Sequence, residues 1–232
     1  MKIPLLDLIS TPVPVLNSLG VKTRVGLSSE DPMVARRPSE EYQVYLTVYS
    51  PEGVLLARPH LGEIPPNRRK FFDVSSVAGE FVPNGDHLCV VHRVPSTLIG
   101  RVSHLEEPLE VDRPPDFSVY RSLVEYSYRG GGNGSVIYET PPALNVPRPG
   151  RPPSNTLSFT SKVVLSEAVN TYVVLIHYSM DPTYAKVCQY NFVLFSMAGE
   201  PVASGRLSLG PFSVRVIDVA RVIPAVAFQQ AL

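Results

Sequence analysis

Apolar and polar positions alternate in short runs along most of this chain, and turn residues separate the runs. Val21, Thr23, Val25 and Leu27 alternate with Lys22, Arg24 and Gly26. Val44, Leu46 and Val48 alternate with Tyr45, Thr47 and Tyr49. A period of two puts successive side chains on opposite faces of a strand. The pattern predicts strands over 21–27, 42–50, 54–58, 69–74, 87–94 and 99–111 in the first half. Pro51-Glu52-Gly53, Pro65-Pro66-Asn67 and Pro83-Asn84-Gly85 supply turns between them. The second half supplies 119–126 and 135–139, joined by a glycine-rich tip over 129–134, then 157–165, 171–179, 187–196, 202–209 and 212–219. No long helical period is present, and the stretch 106–110 is short and broken by Pro108.

Two parts of the chain resemble each other. Residues 42–50 run into Pro51-Glu52-Gly53, and residues 189–196 run into Met197-Ala198-Gly199. Each glycine is followed by a second apolar run, then Pro66 or Pro211, then a strand ending in Asp73-Val74 or Asp218-Val219. Upstream, Ser29-Glu30-Asp31-Pro32 matches Ser179-Met180-Asp181-Pro182. Landmarks in the same order predict an internal duplication.

Short strands with turns every 8–12 residues read as antiparallel sandwiches. The expected fold is therefore all-β, with two tandem immunoglobulin-like or fibronectin-III-like sandwiches. The Cys…Trp…Cys core of antibody domains is absent, so the likeness is one of architecture. The first sandwich is placed at 1–112 and the second at 116–232. The second copy stops soon after Asp218-Val219, so it reads as permuted or incomplete. The hairpin at 119–139 is expected to complete it, ahead of a proline-rich connection at 141–153 and the repeat itself at 155–232.

Composition sharpens this. The 24 prolines among 232 residues are about twice the usual share, too many for helix interiors. Lys and Arg number 21 and Asp and Glu number 21, so no net charge points to nucleic acid or an anionic membrane surface. No apolar stretch is long enough for a transmembrane helix. The N-terminal run is interrupted by Pro4 and Asp7 and makes a poor signal peptide, which favours a cytoplasmic chain, or an extracellular one if it is a trimmed mature form. Cys89 and Cys188 fall one in each copy and are expected as free thiols.

Candidate chemistry is sparse. The glycines of 130–134 lack the Lys and helix of a phosphate loop and read as a hairpin tip. His60, His87, His92, His104 and His177 show no metal-ligand spacing, and His87 and His92 fall on opposite faces of one strand. Asp73 and Asp218 read as strand-end caps. Arg68-Arg69-Lys70 and Arg36-Arg37 lack interleaved aromatics and read as solvated surface. Asn133-Gly134-Ser135 is a glycosylation acceptor that matters only in a secreted chain. No catalytic, cofactor or metal residue is assigned.

The expected function is a non-enzymatic binding or assembly module acting through protein–protein contacts. A ligand- or glycan-binding accessory module is the alternative, and an enzyme or metalloprotein with dispersed His and carboxylates is the second alternative. The expected contact surface is Tyr172, Val174, Ile176, Val193 and Phe195, an outward face that is apolar in the second copy and mixed in the first. That face is expected to be covered by a protein partner or by self-association, and the first copy is expected to bury one sheet face only.

Overall fold

The computed structural model describes residues 2–7, 10–29, 40–101, 103–110, 121–128, 131–139, 163–166, 169–179 and 183–222. In chain order the strands are β1 (Lys2–Pro4), β2 (Ser10–Leu16), β3 (Val21–Ser28), β4 (Tyr42–Tyr49), β5 (Leu55–Ala57), β6 (His60–Ile64) and β7 (Arg69–Asp73). Helix α1 (Val74–Gly79) follows, then β8 (Asp86–Pro95), helix α2 (Ser96–Ile99), β9 (Pro108–Glu110), β10 (Arg121–Tyr128) and β11 (Asn133–Glu139). The rest is β12 (Tyr172–His177), β13 (Cys188–Phe195), β14 (Pro201–Leu209), β15 (Ser213–Asp218) and the single turn α3 (Val219–Val222). The chain is thus predominantly β, with antiparallel pairing throughout the described ladders.

Two sheets enclose the main core. One has the order β2-β8-β4-β5, with β6 also on β4; the other has the order β11-β10-β3-β7. Val13, Val15, Val44, Leu46, Val48, Cys89 and Val91 from the first sheet meet Val25, Leu27, Phe72 and Val124 from the second. Asp73 ends β7 and caps α1, its carboxylate accepting from the Ser76 backbone N–H at 2.9 Å, and this turns Val74 and Ala78 into the same core.

Several expectations change here. The hairpin assigned to the second sandwich joins the first: β10 pairs with β3, Leu123 opposite Gly26 and Tyr126 opposite Thr23. Its Val124 is fully buried in the core between the two sheets, a long-range contact that no turn signal reveals. Of the strand expected over 99–111, the described residues form turns and then the short β9, whose Pro108 stands opposite Pro4 of β1 at the start of the strand, where proline is tolerated. A strand was missed at β2. Its Pro12 and Pro14 hid it, yet β2 lies at a sheet edge, where a missing N–H is tolerated, and Val13 and Val15 still point into the core. The proline-rich connection at 141–153 and most of the strand expected over 157–165 lie outside the described residues.

In the first sheet β8 is buried on both faces, not one, while β5 and β6 keep an exposed side. Leu88, Val90 and His92 are as buried as Cys89 and Val91, because other parts of the chain cover the outer face. In the second half, β12 pairs with β15 and β13 with β14, as β3 pairs with β7 and β4 with β5. The turn after β4 and the turn after β13 share their hydrogen bonds. Gly53 N–H donates to Ser50 O at 3.0 Å and Gly199 N–H to Ser196 O at 3.0 Å. The Ser50 hydroxyl oxygen accepts from the backbone of Glu52 and Val54, and that of Ser196 from Ala198 and Glu200. Both glycines have positive φ, 90° and 85°. Both ladders shift register at the same place, between Val48 and Tyr49 and between Leu194 and Phe195.

Candidate functional site

Matching the two turns pairs Tyr49 with Phe195 and Thr47 with Val193. These positions stand on the outer face of β4 and of β13, at the turn end, and they meet different fates.

On the first sheet the face is covered by the second half of the chain. The turn before β15 holds Phe212 at φ 57°, a left-handed conformation that a bulky side chain rarely adopts. Its ring stacks on Tyr49 with centroids 5.1 Å apart and planes 13° apart, and meets Tyr178 edge-on at 6.2 Å. Leu88, Val214, Val174, Ile176 and Tyr184 complete this cluster. The backbone locks alongside: Val214 N–H donates to Pro51 O at 3.1 Å. A Cβ on Gly53 would stand 2.0 Å from Pro211 O, so the turn can approach only because Gly53 has no side chain.

A cavity of about 80 Å³ remains under this contact, lined by Leu6, Thr47, Tyr49, Arg58, Val90, His92, Glu106, Tyr178, Ser179 and Phe212. His92 is its most constrained polar group. The Thr47 hydroxyl donates to Nε2 at 2.7 Å. Nδ1 faces Leu6 O, and because a carbonyl only accepts, Nδ1 carries the proton. The Ser10 hydroxyl lies 2.8 Å from Nδ1 and donates to Leu6 O at 2.6 Å. Burial pushes the His92 pKa down from 6.5 to about 4, so the ring is neutral. Arg58 closes the cavity rim in an ion pair with Glu106.

On β13 the matching face is open. Val193 is 47% exposed and Phe195 63% exposed, with Met197 in the adjoining turn. Across the ladder stand Ser204 and Pro201. The other end of this face is polar, Gln189 opposite Ser208 and Asn191 opposite Arg206. The apolar character is therefore confined to the end whose counterpart is covered in the first sheet.

The five residues expected to form one surface are split. Val174 and Ile176 are half-buried in the cluster around Phe212 and Leu88, so part of the chain itself covers them. Tyr172 lies at the open end of β12, 38% exposed. Val193 and Phe195 lie on the separate β13–β14 ladder. Sequence reading missed Phe212, Tyr49 and Leu88 as contact residues. The likeness between the two parts of the sequence carried a signal for Phe212, because an aromatic aligns there with Asn67, a residue that tolerates the left-handed turn.

The remaining candidates sit apart from one another. His87 is fully buried, and burial pushes its pKa down against the opposing influence of the Gly85 backbone. His177 is buried, its Nδ1 2.8 Å from Gly210 O, with Tyr184 edge-on at 5.4 Å. His60 is exposed and 2.8 Å from the Gln43 side-chain oxygen. Asp73 and Asp218 both cap the helical turn that follows them, Asp218 accepting from Ala220 N–H at 3.1 Å. Among the described residues no three His, Cys, Asp or Glu side chains gather as a metal site, and no helix is long and apolar enough to cross a membrane. Cys89 and Cys188 are both free thiols.

No family model and no curated protein matches this chain.

Proposed function

We propose that this chain is a non-enzymatic binding or assembly module that engages another protein chain through its second half. The observation that carries this reading is the apolar end of β13. Val193 and Phe195 stand exposed at the two positions whose counterparts, Thr47 and Tyr49, are covered. A bare Phe and Val side by side with Met197 and Pro201 form a surface that gains about 1.5–3 kcal/mol per large side chain on being covered.

We also read the two halves as copies of one immunoglobulin-like or fibronectin-III-like unit. The shared turn bonds, the shared register shift and the same order of strand pairings support that reading. The enzymatic alternative is weakened at His92, whose ring nitrogens are both engaged and whose partner Thr47 is 2% exposed.

Sedimentation of the purified full chain, with and without whatever accompanies it, tests the proposal. A species heavier than the 25.4 kDa chain, weakened by Phe195→Glu, is expected. A chain that stays at 25.4 kDa, binds nothing, and behaves identically with Phe195→Glu would overturn it.

A further inference from the structure

The strand β13 has the composition of a central strand and, among the described residues, the pairing of an edge strand. Its counterpart β4 lies inside its sheet, with β8 on one side and β5 and β6 on the other. Neither Tyr42–Tyr49 nor Cys188–Phe195 contains a charged residue or a proline. Edge strands in native proteins are guarded by charges, prolines or bulges that discourage further pairing. The opposite strand of this ladder, β14, has such guards in Pro201 and Arg206; β13 has its register shift only at the turn end. Along most of its length β13 is unguarded.

Burial points the same way. Val44, Leu46 and Val48 on the inner face of β4 are fully buried. Tyr190, Phe192 and Leu194, at the matching positions of β13, are only half-buried. In the first sheet it is β8, antiparallel to β4 over its whole length, that seals those residues on one side.

We infer that the free edge of β13 pairs antiparallel with β13 of a second copy of this chain, joining two β14–β13 ladders into one four-stranded sheet. This rests on the assembly reading above and names its partner. Twofold pairing demands that facing residues share a sheet face, so the ladder centres on a residue and not between two, and a centre on Phe192, near the middle of the strand, keeps most of it paired. Tyr190 then faces the partner's Leu194, so the half-buried inner residues cover one another. Asn191 faces the partner's Val193 and Phe195 faces the partner's Gln189, which shields the exposed Val193 and Phe195. The strand's lack of charge lets it meet a copy of itself without repulsion, and the chain as a whole has 21 basic and 21 acidic residues.

The test is the mass of the full chain by sedimentation over a wide concentration range, with hydrogen exchange read on β13. A dimer of the 25.4 kDa chain is expected, its β13 amides losing protection on dilution. Asn191 and Val193 are exposed, so substituting both leaves the fold intact, which circular dichroism checks. Asn191→Lys with Val193→Lys sets the introduced lysines of one chain against those of the other, and should weaken the dimer at least about tenfold. Asn191→Glu with Val193→Glu should do the same, and mixing the two variants should restore pairing. A wild-type chain that stays monomeric overturns the inference, as does a dimer untouched by the lysine pair. A monomer whose β13 amides are already protected means that another segment of the chain holds the edge, which also overturns it. If the chain alone is monomeric but a complex with a different protein is broken by Phe195→Glu, self-pairing fails while the assembly reading stands.

Discussion

Asn67 and Phe212 hold the same left-handed backbone at matched places, with φ 56° and 57°, each in the turn that enters the strand ending on Asp73 or Asp218. Asn67 is solvent-exposed and Phe212 is 8% exposed against Tyr49. Asn adopts this conformation at little cost, whereas a bulky ring there is strained. Strain of this kind persists only where surrounding contacts hold it, and the stacking on Tyr49 supplies them.

Phe212→Asn therefore relaxes the backbone and removes the anchor between the two halves. The lost ring burial outweighs the relieved strain, and a net loss of about 1–2 kcal/mol is expected. Urea unfolding measures it, and the second half should begin to unfold ahead of the first. An unchanged midpoint would mean that the Tyr49–Phe212 stack contributes nothing.

The two turn glycines form an internal control. Gly199→Ala meets nothing within 4 Å and costs only the left-handed penalty, about 1–2 kcal/mol. Gly53→Ala carries that penalty and also drives a methyl to 2.0 Å from Pro211 O. It should destabilise more than Gly199→Ala and loosen the contact that Val214 makes with Pro51. Equal losses in thermal unfolding of the two variants would contradict the close approach.

His92 makes stability depend on acid. Its folded pKa of about 4 lies below the unfolded value of 6.5, so between them the unfolded chain binds the extra proton. Stability is full above about pH 6.5 and falls as the pH drops towards 4, where the native ring also protonates. His87 is depressed by burial as well and adds to the same slope. His92→Gln should flatten the stability profile in this window without abolishing its slope. A profile unchanged by the substitution would show that the Thr47–His92–Leu6 chain is protonated at no cost.

The thiols should separate by access. Cys188 is half-buried, and Cys89 is fully buried with its pKa pushed up by desolvation. A thiol reagent at neutral pH should modify Cys188 in the native protein and Cys89 only after unfolding. Modification of both at one rate would mean that the first sheet opens on the time scale of the reaction.

The local features of this chain are legible in its residues. Alternation in residues 42–49 and 187–196 set the strands, Gly53 and Gly199 set their turns, and Asp73 and Asp218 set the caps, because each depends on neighbours a few residues away. Proline at positions 12 and 14 hid β2, since only a sheet with an available edge makes proline acceptable in a strand. Where each face went depended on long-range packing. Alternation marks Thr47, Tyr49, Val193 and Phe195 as outward, yet the first two are covered by a turn from far along the chain and the last two are not. The same holds for the 121–139 hairpin, whose strand pattern fits either half and whose pairing with β3 was settled by the burial of Val124 in the first core. Period and propensity act over a few residues, while the covering of a face is a contest among all the apolar surfaces of the chain, and that contest is decided only when they meet.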